Sequence, residues 1–83
     1  MKSIVFELFA TLERLAGSAT CRVDAPDGTH TVADALAVLA LARPELAASL
    51  ERCACVSGDT IVRRADPVPA DGHIALLPPV AGG

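Results

Sequence analysis

Eighty-three residues with 52% hydrophobic content fit one small domain with one core, since a chain this short buries only about 60 to 65% of its unfolded surface. Aromatic residues make up 2%, Phe6 and Phe9 alone, so no row of rings exists on which bases could stack. A net charge of -3, a pI near 5.1 and seven scattered Lys and Arg residues argue equally against nucleic acid and suit a basic protein partner.

The opening MKSIVFELFA carries Lys2 and then Glu7 inside its apolar run, a pattern of neither a signal peptide nor a membrane span, and the chain reads as cytoplasmic. Three cysteines, Cys21, Cys53 and Cys55, are an odd number without an export signal, which makes reduced thiols the expectation. Ile4 to Phe9 alternates as a half-buried strand with Ile4, Phe6 and Leu8 on one face. From Ala10, ATLERLAG predicts about two helical turns with Leu12, Leu15 and Ala16 on one side and Gly17 as the left-handed cap. Ala19 to Ala25 alternates again and ends in the turn Pro26-Asp27-Gly28, so the first two strands are expected to pair antiparallel.

Thr31 and Asp34 have the spacing of a capping box at the start of the main helix. Val32, Ala35, Leu36 and Leu39 form its apolar stripe, and Pro44 ends it by excluding the α region for Arg43. Pro44 in turn begins a short helical segment to Leu50, with Leu46 and Leu50 on one side. Cys53–Ser57 and Thr60–Arg63 flank the hairpin turn Gly58-Asp59, and Asp71-Gly72 introduces a last strand from His73 to Leu77. Periodicity gives an α+β domain, and two hairpin-like halves joined by one main helix sketch a β-grasp, a ubiquitin-like roll with a mixed sheet. The expected division is a domain over 1–77 and an extended Gly-Gly tail over 78–83.

The tail holds the most informative chemistry. Pro78 and Pro79 end hydrogen bonding to a sheet and favour an extended path, so Pro78 to Gly83 would reach on the order of 18 to 20 Å. Gly82 and Gly83 lack side chains, which lets a terminal carboxylate pass a narrow channel and lets a nucleotide or nucleophile approach it. A carboxylate becomes a useful electrophile once ATP converts it to an acyl adenylate. The chain's own side chains need then do no chemistry, and no GxxxxGK phosphate loop, HExxH pair or nucleophile triad is visible. Within the last strand Ile74 and Leu76 alternate with Ala75 and Leu77, so one pair is expected in the core and the other exposed beside the tail; with Ile74 and Leu76 inside, Leu77 lies outward near Ala75. Leu77 and Ala75, with Phe9 or Val62 beside them, would form an apolar docking patch at the root of the tail.

The run ADGHIALLPPVAGG resembles the dGDxVaxxPPVxGG ending of the small subunit of molybdopterin synthase, the MoaD-type sulfur carriers of the ThiS/MoaD ubiquitin-like family. IVFELFATLERLAG resembles that family's opening strand followed by FAxLRExxG, and HTVADALAVL and CVSGDTIV are similar less specifically. The resemblance implies a β-grasp sulfur carrier. Its Gly83 carboxylate would be adenylated by an E1-like enzyme that uses ATP, and a cysteine desulfurase or rhodanese would supply sulfur for a thiocarboxylate. The tail, Pro78, Pro79, Val80, Ala81, Gly82 and Gly83, would thread into the large synthase subunit of a heterotetramer and give its sulfur to cyclic pyranopterin monophosphate. No cofactor bound by the chain itself, no metal, no nucleic acid and no membrane are implied. The order Glu13-Arg14, Ser57, His73 and the pair Leu76-Leu77 depart from the family pattern, and all lie away from the Gly-Gly end.

Two further functions use the same activated end: a ubiquitin-like modifier joined to lysines, and a sulfur carrier for thiamine or cysteine synthesis. A plain interaction domain would be indifferent to the loss of Gly83. Cys53 and Cys55 share one strand face, but C-x-C is a poor zinc spacing and buried inert thiols are expected. Arg63-Arg64 beside Asp66 is expected to be a solvated strand end.

Overall fold

The computed structural model describes residues 1–79. Strand β1 (Lys2–Leu8) leads into a short helix α1 (Thr11–Ala16) and returns antiparallel as β2 (Thr20–Ala25). The main helix α2 (Val32–Ala42) follows, then a 3-10 turn at Pro44–Leu46 and the single-turn α3 (Ala47–Leu50). The chain ends its described part as a hairpin, β3 (Ala54–Ser57) and β4 (Thr60–Val62), and a last strand β5 (His73–Leu77). The five strands lie in the order β2-β1-β5-β3-β4. β1 and β5 run parallel, with Phe6 opposite Ile74 and Leu8 opposite Leu76, and every other pairing is antiparallel. This is the ubiquitin-like β-grasp expected from the sequence.

The core forms where the period-2 faces of the strands meet the 3.6-period stripe of α2. Ile4, Phe6 and Leu8 of β1, Val23 of β2, Cys55 of β3 and Ile74 and Leu76 of β5 are all buried. Val32, Ala35, Leu36 and Leu39 cover them from α2, the four positions the stripe predicts. Leu46 and Leu50 close one end. With Phe6 the one buried ring, branched aliphatic side chains supply most of the apolar burial, at about 25 cal/mol per Å².

Local signals fix where α2 begins and stops. Thr31 Oγ1 accepts from the Asp34 N–H at 3.1 Å, and Asp34 Oδ2 accepts from the N–H groups of Thr31 and His30, both at 3.1 Å. These bonds hold the Asp34 carboxyl below its usual range, the Thr31 backbone bond contributing most. The next free donors, Val32 N–H and Ala33 N–H, are satisfied by the carbonyls of Asp66 and Arg64 at 2.9 Å each, so the 63–72 loop caps the helix from outside. At the far end Arg43 is non-helical at φ -133°, as a residue before proline must be. Its guanidinium donates to the Ala16 carbonyl at 2.6 Å and to Glu45 Oε2 at 2.8 Å, tying the end of α1 to the α2 corner.

Three local expectations shift. β1 stops at Leu8, and Ala10 stands outside α1 at φ 53°, ψ -123°, so Phe9 belongs to neither element. Leu12 is buried and Ala16 partly so, but Leu15 is exposed: a helix of six residues presents too narrow a face to cover all three. Arg63 and Arg64 are exposed, as a solvated strand end requires, but the Arg64 guanidinium also reaches back onto the chain. Its Nη2 donates to the carbonyl of Leu50 and, at 3.3 Å, to that of Cys53, clamping the junction between α3 and β3.

Candidate functional site

β5 lies between β1 and β3, and the alternation of side chains along it divides its residues cleanly. Ile74 and Leu76 point into the core and are fully buried. Ala75 and Leu77 lie on the opposite face, Ala75 half-buried and Leu77 40% exposed. Gly72 makes this entry possible: it sits at φ +70°, and a Cβ there would meet Ser3 O at 2.8 Å. The Gly72 carbonyl accepts from Val5 N–H at 2.8 Å, starting the parallel ladder.

The sheet register shows what accompanies Leu77. Ala54 lies opposite Leu77 and Val56 opposite Ala75, and Ile61 of β4 lies opposite Val56. Ile61 is 74% exposed. Ala54, Val56, Ile61, Ala75 and Leu77 thus make a continuous apolar area on the face of the sheet turned away from α2. Sequence reasoning missed Ala54, Val56 and Ile61. The signal was present, because placing Cys55 inside puts both its neighbours outside. Val62 does not join them: it pairs with Cys55, shares the core side of the sheet and packs against the core.

Phe9 is 42% exposed, at the end of β1 on the same outward side. It lines a separate shallow recess with Val5, Glu7, Glu13, Thr20 and His73. Ala10, which turns the chain there, is the one non-glycine residue with positive φ among the described residues. Such backbone costs of order 1–3 kcal/mol and is retained where the surroundings hold it.

Beyond Leu77, Pro78 is half-buried and Pro79 exposed. Both line a recess of about 410 Å³ with Thr11, Ala48, Ser49, Glu51 and Arg52. The root of the tail therefore runs between the start of α1 and the end of α3. Val80, Ala81, Gly82 and Gly83 lie outside the described residues.

The thiols stand apart from this region's surface. Cys21, Cys53 and Cys55 are free and buried. Burial pushes the Cys53 and Cys55 thiols up, and Cys53 Sγ donates to the Ser49 carbonyl at 3.1 Å. Among the described residues no group of three or more His, Cys, Asp and Glu side chains comes together as a metal site, and His30 and His73 are both exposed. No helix among those residues is long and apolar enough to cross a membrane.

A mixed β-grasp sheet whose central strand leads into a proline-rich, glycine-ended segment defines a class of small ubiquitin-like proteins, and the chain belongs to the ThiS family, whose model matches residues 6–83. It is 35% identical over 86 residues to small archaeal modifier protein 1 of Haloferax volcanii, covering 94% of this chain and 98% of that protein. The crystal structure of SAMP1 from Haloferax volcanii superimposes with a TM-score of 0.83 at 34% identity, covering 99% of this chain and all of that one. The solution structure of the Haloferax volcanii HVO 2177 protein is more distant, with a TM-score of 0.67 at 26% identity over 98% of this chain and 88% of the other.

Proposed function

We propose that this chain is a sulfur carrier whose working group is the carboxylate of Gly83. The observation that supports this most is the way β5, held on both sides in the sheet, ends at exposed Leu77 and passes at once into Pro78 and Pro79. The domain over 1–77 then serves as a handle, and residues 78–83 enter the protein that acts on them. An E1-like enzyme uses ATP to adenylate Gly83 with release of pyrophosphate; the outer sulfur of a persulfide carried by a desulfurase or rhodanese displaces AMP to give an acyl disulfide, and a second thiol cleaves its S–S bond, leaving the thiocarboxylate and a disulfide. The charged tail enters the large subunit of molybdopterin synthase and gives its sulfur to cyclic pyranopterin monophosphate. The resemblance of ADGHIALLPPVAGG to the small-subunit ending supports that acceptor. The apolar face of Ala54, Val56, Ile61, Ala75 and Leu77 is the surface by which partners grip the carrier, with Phe9 beside it.

A second function has its own support. The 35% identity to small archaeal modifier protein 1 favours a modifier, in which the adenylated Gly83 passes to a lysine amine. Adenylation is common to both uses, and the nucleophile divides them. Intact mass spectrometry of the full chain after ATP, sulfide and an E1-like enzyme tests this directly. A gain equal to sulfur replacing oxygen on Gly83 is the carrier's result; an isopeptide remnant of this chain's C-terminal segment on lysines of other proteins is the modifier's. A chain unchanged by every E1-like enzyme of its organism would remove both.

A further inference from the structure

The recess at the root of the tail carries chemistry that the apolar face does not. Its walls are Pro78 and Pro79 on one side, Thr11 at the start of α1 on another, and Ala48, Ser49, Glu51 and Arg52 along the α3–β3 corner. Arg52 is exposed, and among the described residues its guanidinium forms no ion pair and no hydrogen bond. Arg22, Arg43, Arg63 and Arg64 each spend the guanidinium on a partner within the chain; Arg14 shares the freedom of Arg52 but does not line the recess. The hydroxyls of Thr11 and Ser49 are likewise unengaged among the described residues. A planar fork of N–H donors and two hydroxyls border a space large enough for a side chain.

A guanidinium fork fits a carboxylate through two parallel bonds. Glu51 on the same wall decides between anions. Its carboxylate offsets the Arg52 charge and repels an incoming anion in proportion to that anion's charge, so a doubly charged phosphate is opposed about twice as strongly as a single carboxylate held by the fork. Position decides between occupants: because Pro78 and Pro79 form one wall, a protein that takes the tail must lay its own surface over the recess. We propose that the recess receives an aspartate or glutamate side chain of the E1-like adenylating enzyme, bound by Arg52 with Thr11 and Ser49 as further donors. This rests on the proposed function only in requiring that such an enzyme takes the tail, a step shared by carrier and modifier. The apolar face supplies contact area, and Arg52 fixes how the domain is turned about its own tail.

The test uses the full-length chain and an E1-like enzyme of its organism. Kd is measured by titration calorimetry without ATP, and pyrophosphate release is measured with ATP. Arg52→Gln is expected to raise Kd about tenfold or more, and Arg52→Lys to recover only part of the loss, because the charge returns without the fork. Both variants should keep the wild-type melting temperature, since the Arg52 guanidinium makes no ion pair or hydrogen bond among the described residues. One Asp→Asn or Glu→Gln substitution on the enzyme should reproduce the loss, with no further loss when combined with Arg52→Gln. A Kd for Arg52→Gln within about twofold of wild type, while the wild-type chain still drives pyrophosphate release, overturns the proposal and leaves the carrier standing. Binding of inorganic phosphate to the isolated chain that disappears in Arg52→Gln, with enzyme affinity unchanged, also overturns it and assigns the recess to a small anion. No pyrophosphate release with the wild-type chain and any E1-like enzyme of the organism removes the proposed function and this occupant together.

Discussion

Leu77 stands directly opposite Ala54 across the β5–β3 ladder, both on the face of the sheet turned away from α2, one residue before the prolines begin. That pairing places an exposed leucine where the chain leaves its sheet. Replacing Leu77 by Asp removes apolar contact without opening the core, because Leu76, not Leu77, is the buried neighbour. Affinity for an E1-like enzyme should fall by about tenfold, the scale of a moderate interface residue, with the melting temperature little changed. Ile61→Asp should act in the same direction. Unchanged titration curves for both variants would take the apolar face out of partner binding.

Deleting Gly83 should leave the fold intact, since all of β1–β5 and the core lie within 2–77. Thiocarboxylate formation should be lost entirely. Circular dichroism and intact mass on the same sample check both halves, and a truncated chain that still gained sulfur would place the reactive group elsewhere.

Thr31→Ala removes the hydroxyl that accepts from Asp34 N–H and should cost about 1 kcal/mol in urea unfolding, the usual value of a helix N-cap. Asp34 gives this cap a pH dependence of known sign. Its folded carboxyl is held below the ordinary value by the Thr31 and His30 N–H groups, so its contribution is complete above about pH 4 and is lost as pH falls through the folded value. Asp34→Asn should therefore be less stable than wild type at neutral pH, with the gap closing in acid. A gap of constant size from neutral pH into acid would show that the carboxylate is not what caps α2.

Ala10 and Gly72 make a matched pair of backbone tests. Ala10 occupies φ 53°, ψ -123°, where glycine carries no Cβ penalty, and Ala10→Gly should raise stability by about 1 kcal/mol or less after the unfolded-state entropy is counted. Gly72→Ala should do the reverse by about 1–3 kcal/mol, since φ +70° and a contact of 2.8 Å to Ser3 O both oppose a Cβ. Chemical denaturation of the two variants side by side settles the signs.

Cys53→Ser and Cys55→Ser put hydroxyls into apolar space and should lower the melting temperature while the remaining folded protein still accepts sulfur. Consistent with their burial and raised thiol pKa values, both cysteines should react with alkylating reagents far more slowly in the folded chain than in urea. Loss of sulfur loading at an unchanged melting temperature would give these thiols a chemical role.

What could be read from the residues was whatever short-range pattern dictates. The capping box at Thr31, the stripe Val32-Ala35-Leu36-Leu39, the stop at Pro44 and the in-out alternation of Ile74, Ala75, Leu76 and Leu77 each follow from neighbours a few positions apart. What was hidden depended on distant parts of the chain. Nothing in Arg64 or Asp66 announces that their carbonyls cap a helix thirty-odd residues earlier, or that the Arg64 side chain closes the α3–β3 junction. The recess beside Pro78 was equally invisible, because Thr11, after β1, and Arg52, before β3, border one space only once β5 lies between those two strands. Phe9 reads as strand because an apolar residue after Leu8 continues the pattern, and the positive φ of Ala10 breaks it.

The position of β5 in the middle of the sheet also bears on mechanical wear. Under the proposed function the tail would be inserted into one protein and withdrawn from another, and would be pulled along its own axis at every cycle. Because β5 is laced to β1 through His73–Leu76 and to β3 through Ala75–Leu77, such a pull loads both ladders in shear, many bonds at once, instead of peeling them one by one from an edge. In that geometry the ladders on both sides of β5 would share such a load.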